Sequence, residues 1–382
     1  MIIKSLLDTD WYKITMLYAV FKLCQRLGID IPIVTYRFKC RNAADLTIFE
    51  KEIRKEIESF QKLKFTKEEV KYILNVVQFE EEFGYLLLSI NLRDVQAAVY
   101  EKNGQLGIEV EGPWIPAILF EVPVLSIVNE VYFRGKGSKV QANKNLTSFL
   151  NNTPKFFEFG TRRRRSFAWQ EHVVKQAAAK GKVLGTSNVL LAKEMGSKPT
   201  GTMAHEWLMA FQAISRDLRN FQKEALEHWL LAFRGRNATA LTDIIGIDAF
   251  LNDMDPLLIK NYTGLRWDSG CPFQFIDKVI KKYEEVRAHT PTLLFSDGLT
   301  DDSARRIQAY ANSVGVGLYT FPCIGTFATN NWGDEPLQIV MKMVKLNGQN
   351  VVKLSDTPGK RMVEDCNMMQ RLVKTFNLKG YK

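Results

Sequence analysis

Leu265-Arg266-Trp267-Asp268-Ser269-Gly270 is the stretch on which the fold turns. An apolar, β-type run ends in a short loop of Asp, Ser and Gly, the chemistry of a strand that stops at a turn. The pattern recurs along the chain. The run 156–159 leads to Gly160-Thr161-Arg162, Val183-Leu184 to Gly185-Thr186-Ser187, and Ala240-Leu241 to Thr242-Asp243. Leu293-Leu294-Phe295 leads to Ser296-Asp297-Gly298, and Cys323-Ile324 to Gly325-Thr326. Gly201-Thr202-Met203-Ala204-His205-Glu206-Trp207 is read as a further member, third in order. Seven such junctions within roughly 170 residues, most entering a helical pattern, predict a parallel α/β architecture. A doubly wound sheet would gather its chemistry at one switch point. Polar or Gly residues at nearly every strand end instead favour a barrel with its site at the C-terminal strand ends.

Working outward, Asp8, Thr9 and Asp10 offer caps for a helix with Ile14, Leu17, Tyr18 and Phe21 on its apolar face and Gly28 as its stop. Strands are predicted over 31–38, 85–90 and 97–111, the last turning at Asn103-Gly104. Charged helices are predicted near 46–63 and 67–77. Downstream, 339–346 and 350–354 flank Asn347-Gly348, a hairpin signal. The expected domains are a mixed α+β N-terminal domain over 1–122 and an α/β barrel catalytic domain over 123–335. A C-terminal hairpin and helix over 336–382 is expected to pack back on the N-terminal domain or the barrel flank.

The 382 residues, 46% hydrophobic and 25% charged, have the composition of an ordinary globular protein. No apolar run of the roughly 18 residues needed to span a membrane is read. Met1-Ile2-Ile3-Lys4-Ser5-Leu6-Leu7-Asp8 lacks the apolar core and cleavage site of a signal peptide. Five cysteines (24, 40, 271, 323 and 366) with no C-x-x-C pair indicate neither a disulfide framework nor a zinc site, so a cytoplasmic protein is expected. The net charge of +10, from 52 Lys+Arg against 42 Asp+Glu, suits nucleic acid and anionic small molecules equally. Nucleic-acid binding predicts a basic stripe or a known module. Most lysines instead alternate with glutamates, as over 51–71, the pattern of a solvated helix surface.

Trp207, Leu208, Phe211 and Ile214 recur at helical spacing, so a helix starts near Ala204 and His205 falls in its first turn. Unpaired N–H groups and the helix dipole favour a negative group there. They disfavour imidazolium and leave neutral imidazole as a potential nucleophile, a ligand or a core residue. Arg266 and Asp268 flank Trp267 and face the same way on an extended segment. They are either a structural ion pair or a pair that meets a carboxylate or phosphate together with sugar hydroxyls. At most two arginines of the run 162–165 can face one site from a helix, and the others are expected in solvent. Gly325 and Thr326 offer close backbone approach and a hydroxyl for a phosphate. Tyr12 lies near the apolar face of its helix, as a core aromatic would. His172, His228 and His289 lack metal-ligand spacing.

Together these motifs resemble the nicotinate phosphoribosyltransferases. The resemblance is carried by Thr9-Asp10-Trp11-Tyr12-Lys13-Ile14-Thr15-Met16, Phe159-Gly160-Thr161-Arg162-Arg163-Arg164 and Gly185-Thr186-Ser187-Asn188. It continues through 201–206, 264–270, Ser296-Asp297, Ile324-Gly325-Thr326 and Leu354-Ser355-Asp356-Thr357-Pro358-Gly359-Lys360, and spans residue 8 to about 375. It implies a type II phosphoribosyltransferase fold, an irregular α/β barrel with a mixed α+β N-terminal domain, most like the bacterial-type enzymes. It also implies synthesis of nicotinate mononucleotide and pyrophosphate from nicotinate and phosphoribosyl pyrophosphate in NAD salvage. ATP is the implied co-substrate and Mg²⁺ the implied ion, in a homodimer with shared active sites that receive an N-terminal aromatic from the partner chain. The family's transiently phosphorylated histidine falls on His205. Its nicotinate contacts fall on Tyr12, Thr202 and Arg266. The residues assigned to phosphoribosyl pyrophosphate are Arg162, Asp268, Ser296, Asp297, Gly325 and Thr326, with the metal ligands left open. Two positions depart from the pattern: Cys271 stands where the family commonly has Asp, and Cys323 where it commonly has Gly. Within the fold the runner-up is a nicotinamide phosphoribosyltransferase. A quinolinate enzyme would need more basic pocket residues and uses no ATP. A nucleic-acid-binding protein would show steep salt dependence and release no pyrophosphate.

Overall fold

The computed structural model describes residues 1–380. The chain forms two compact units, one from Met1–Gly201 with Ile324–Lys342, the other from Thr202–Cys323 with the chain from Met343 onward. Together they are mixed α/β.

In the first unit the helix Trp11–Leu27 buries Ile14, Leu17 and Tyr18 and ends at Gly28, whose φ of 63° closes the last turn. Three antiparallel strands follow, β1 (Ile33–Cys40), β2 (Gln96–Lys102) and β3 (Gln105–Pro113), with β3 between the other two. Asn103 and Gly104 join β2 to β3 with positive φ at both positions, as a two-residue hairpin turn requires. Leu106, Ile108 and Val110 alternate inward along β3. The helices Glu50–Phe60 and Lys67–Val77 match expectation, the second opened by a Thr66–Glu69 capping box. Residues 85–90 do not form the expected strand. They lie mostly in the helix Glu81–Ser89, which buries Phe83 and Leu87. A short apolar run fits strand or buried helix alike, and Glu81 and Glu82 suit a helix start.

The stretch Trp114–Phe133 corrects a second expectation, because its 20 residues are long and apolar enough to cross a membrane. It is buried almost throughout and carries Glu121 and Asn129 inward, so it is a core segment of this unit. Two parallel strands, β4 (Phe156–Glu158) and β5 (Val183–Thr186), complete the unit's framework.

The second unit holds parallel strands β6 (Thr239–Leu241), β7 (Gly264–Trp267), β8 (Thr292–Phe295) and β9 (Thr320–Ile324), neighbours in that order. Leu265, Leu293 and Phe295 are fully buried. Because the strands are parallel and adjacent, Asp243, Asp268 and Ser296 emerge at one edge. Residues 201–204 form no strand, so six parallel strands, not seven, occur among the described residues. The hairpin around Asn347-Gly348 is present as β10 (Ile339–Leu346) and β11 (Gln349–Asn350). Its second strand is cut to two residues, because Lys353 exchanges backbone hydrogen bonds with Met362 instead.

The arginine run is not solvated as expected. Arg164 is fully buried, its two terminal nitrogens 2.5 and 2.7 Å from the Asp8 carboxylate and its Nε 2.7 Å from Glu130. Arg165 lies between the Phe133 and Trp332 rings and pairs with Asp334 at 2.8 Å. Arg163 donates to the Ile339 carbonyl. Removing Arg164 strands buried carboxylates without a counter-charge. Arg164→Met is therefore expected to lower stability by about 3–5 kcal/mol, read as a shift in the urea unfolding midpoint.

Candidate active site

His205 opens the helix His205–Ile214 after a loop, with Ala204 at the cap position and no side chain capping it. The imidazole is 7% exposed. Its Nε2 lies 2.8 Å from Asp243 Oδ1 at the end of β6 and 3.4 Å from Asp268 Oδ2 just past β7. A carboxylate can only accept, so Nε2 carries the proton and Nδ1 keeps its lone pair. Nδ1 makes no hydrogen bond to any described residue.

Burial and the Lys353 ammonium push the His205 pKa down to about 4, against the opposing pull of Asp243 and Asp268. The neutral ring inferred from the helix start is thus present, but burial and a lysine are its main causes. Lys353, 4% exposed, lies 2.8 Å from Asp243 Oδ2, which also accepts from Ser269 Oγ at 2.6 Å. Burial alone would raise the Asp243 pKa, yet Lys353 and His205 hold it well below the usual carboxylate range.

Arg266 gathers several of the expected site residues. Its Nε donates to Ser296 Oγ at 2.7 Å, Nη1 to Thr202 Oγ1 at 3.1 Å and Nη2 to Asp268 Oδ1 at 3.1 Å. Three of the five donors of a guanidinium are spent, leaving one N–H on each terminal nitrogen for a ligand. Ser296 Oγ also lies 2.8 Å from Asp268 Oδ1. Asp268 stays ionised well below its usual range, because Arg266 and His205 outweigh its burial. Asp297 pairs with Lys360, which also donates to the Asp268 carbonyl at 3.0 Å. Burial nonetheless raises the Asp297 pKa. His205, Thr202, Arg266, Asp268, Ser296 and Asp297 therefore belong to one connected cluster of the second unit.

The remaining expected residues lie in the first unit. Tyr12 is buried, its hydroxyl donating to Glu121 at 3.2 Å. Arg162 is a third exposed and faces Asp10 and Glu121 at 3.9 and 3.8 Å. Gly325 cannot be replaced cheaply, since a Cβ there would meet the Phe159 carbonyl oxygen at 2.6 Å. Thr326 follows it, half-buried.

Comparison with known proteins now bears on this geometry. Residues 154–380 match the family model for nicotinate phosphoribosyltransferases, and 7–129 the model of their N-terminal domain. The nicotinate phosphoribosyltransferase of Neisseria meningitidis serogroup B is 40% identical, over 99% of this chain and 98% of its own. That of Acinetobacter baumannii is 41% identical at the same coverage. The crystal structure of nicotinate phosphoribosyltransferase from Vibrio cholerae superposes with a TM-score of 0.91 at 34% identity, covering 99% of this chain and 95% of that one. The chain belongs to the nicotinate phosphoribosyltransferase family.

The two departures from the family pattern have local physical consequences. Cys271 is the exposed cap residue of the helix Pro272–Glu285 and makes no capping bond, which an Asp there could supply. Cys323 is buried in β9 with its thiol pushed up to about 12, so it is an inert packing residue. The sequence reading missed Asp243, Ser269, Lys353 and Lys360 as site residues. Asp243 was visible at a strand end. Lys353 gave one signal, a lone lysine in the apolar run Val351-Val352-Lys353-Leu354.

His205, Asp243 and Asp268 can bring one ligand atom each within 4.8 Å of one another. They do not fit Mg²⁺. The ion demands a tight shell of oxygens, mostly water and substrate phosphate. Here the Asp243 and Asp268 oxygens already face His205, Lys353, Ser269, Arg266 and Ser296, and a buried ammonium stands among them.

The depressed His205 pKa has a sign that can be tested. As pH falls from 6.5 toward 4, the unfolded chain takes up the proton first and the folded protein loses stability. His205→Asn is expected to flatten the dependence of unfolding free energy on pH in that window, measured by urea titration at several pH values.

Proposed function

We propose that the protein makes nicotinate mononucleotide and pyrophosphate from nicotinate and phosphoribosyl pyrophosphate, coupled to ATP hydrolysis. The observation that carries this reading is His205: buried, uncharged, and fixed through Nε2 on Asp243 so that Nδ1 is left as a nucleophile. Its lone pair attacks the terminal phosphorus of ATP. The N–P bond forms as the P–O bond to ADP breaks, and Asp243 stabilises the positive charge that develops on the ring. The added phosphoryl charge then reorganises the Lys353–Asp243–Asp268–Arg266 cluster toward tighter substrate binding.

In the glycosyl transfer, the pyridine nitrogen attacks C1 of the ribose as the C–O bond to pyrophosphate breaks, through an oxocarbenium-like transition state. No protein nucleophile is required, so catalysis is positioning and charge stabilisation. Arg266, aimed by Thr202, Ser296 and Asp268, offers its remaining N–H groups to the nicotinate carboxylate, and Tyr12 stacks on the ring. Asp268 receives the ribose hydroxyls. Gly325 and Thr326 hold the 5′-phosphate, while Arg162, Ser296 and Asp297 complete the phosphoribosyl pyrophosphate contacts. Mg²⁺ is expected to arrive with the pyrophosphate. A cytoplasmic homodimer with shared active sites completes the proposal, and sedimentation velocity tests the assembly.

Product formation from nicotinate and phosphoribosyl pyrophosphate, with and without ATP, tests the reading directly. His205→Ala is expected to abolish coupled ATP hydrolysis and leave slow, ATP-independent transfer. Stoichiometric ATP hydrolysis by that variant would remove His205 from the scheme. Arg266→Ala is expected to raise the KM for nicotinate on the order of 10–100-fold, the loss of a charge-assisted pair, and to affect nicotinamide far less. Equal losses for the two substrates would contradict a carboxylate role.

A further inference from the structure

Lys353 belongs to the stretch Val351-Val352-Lys353-Leu354, every residue of which is buried. The stretch is tied to both elements that carry the His205–Asp243 pair. Gln212, on the helix His205–Ile214, donates to the Val352 carbonyl at 2.8 Å and accepts the Val352 N–H at 2.9 Å. The Leu354 N–H lies 2.8 Å from the carbonyl of Ile244, the residue after Asp243. Lys353 itself exchanges backbone hydrogen bonds with Met362 at 3.0 and 2.8 Å. The backbone is therefore held on both sides of Lys353, and its side chain is directed into the cluster.

The ammonium meets the same two carboxylates as the imidazole. Lys353 Nζ lies 2.8 Å from Asp243 Oδ2 and 3.9 Å from Asp268 Oδ2, and His205 Nε2 lies 2.8 Å from Asp243 Oδ1 and 3.4 Å from Asp268 Oδ2. Arg266 joins on Asp268 Oδ1 at 3.1 Å. Two carboxylates thus face two cations, and the group is balanced while the ring is uncharged. Without the lysine charge the buried carboxylates would carry one uncompensated negative charge, which protonation of the ring would offset. Burial and the Lys353 ammonium hold the His205 pKa down to about 4, against the pull of Asp243 and Asp268. Glu206, next on the helix, is buried as well, and Asp297 is paired with Lys360. Those charges stay in place when Lys353 alone is altered.

We propose that Lys353 is a positioning residue for His205: by sharing both carboxylates with the ring, it keeps a second proton off the imidazole and the Nδ1 lone pair available for phosphoryl transfer. The transfer step rests on the reading above; the effect of the lysine on the ring rests on the shared carboxylates. Lys353 acts through Asp243 and Asp268, and the same arrangement lets Asp243 orient the ring without drawing a proton onto it.

Histidine titration by NMR on the full-length protein, with no substrate present, reads the ring directly, and His205→Asn assigns its signal among the four histidines. The wild-type ring is expected to remain neutral at pH 6.5, where an ordinary histidine is half protonated. Lys353→Gln keeps a donor for Asp243 and loses the charge, so the His205 midpoint is expected to rise by about one pH unit or more. Lys353→Arg keeps the charge and is expected to stay near wild type. In steady state, the acidic limb of coupled ATP hydrolysis should move to higher pH in Lys353→Gln by the same amount. A purely structural role would lower the rate at every pH and leave that limb in place. An unmoved His205 midpoint in folded Lys353→Gln overturns the proposal. So does a wild-type ring that is already protonated at pH 6.5, a measurement that needs no variant. If the titrations come out as expected in a protein that hydrolyses no ATP, the phosphoryl-transfer reading fails and the control of the ring by Lys353 stands.

Discussion

The Asp243 carboxylate is the constraint around which the second unit is arranged. One oxygen holds the His205 imidazole, and the other holds the Lys353 ammonium and the Ser269 hydroxyl. Four separate segments meet on it: the end of β6, the start of the helix His205–Ile214, the loop after β7, and the stretch carrying Lys353. All of these side chains are buried, so none can exchange its partner for water without a large desolvation cost. These groups are therefore held by one another rather than by water. The following residues tighten the arrangement. Leu354 and Ser355 donate their backbone N–H to the Ile244 carbonyl, and Asp356 N–H to Ser269 Oγ.

Much of this framework was legible because it is local. The apolar runs that end in Asp, Ser or Gly are β6 to β9, and the polar edge they create holds Asp268, Ser296 and Asp297 as read. The misreadings share a physical origin. Tyr85 to Ile90 is apolar enough for a strand, but its helical state is decided by Phe83 and Leu87 packing inward, which no short window displays. The Gly and Thr of the loop 201–204 resemble the turn chemistry of a strand end, although no strand precedes them. Lys353 could not be assigned, since its meaning depends on Asp243 and Asp268, both remote in sequence. A single lysine in an apolar run signals burial and a partner without saying which.

The arginine run shows the same limit from the opposite side. Four consecutive arginines suggest a solvated patch, yet Arg164 is enclosed by Asp8 and Glu130 and Arg165 by two aromatic rings and Asp334. The helix that supplies Glu130 is apolar enough to pass for a membrane segment, and Glu121 lies at its first turn. Charges in that helix are tolerated because cations from distant segments reach them. Composition along one window cannot reveal such pairing, whereas the geometry states it directly.

These clusters use carboxylates where amides of the same shape would fit, and the reason is the number of acceptors. Asp243, Asp268 and Glu121 each present two oxygens that face different partners: His205 and Lys353, Arg266 and His205, Lys13 and Lys342. An Asn or Gln would offer one accepting oxygen and turn an N–H₂ toward a cation or a protonated ring nitrogen, a donor facing a donor. In each case one planar group joins two different side chains. A displacement of one partner is thereby transmitted through that group to the other. That coupling gives any charge placed on the His205 ring a direct structural route to Lys353, through the two oxygens of Asp243.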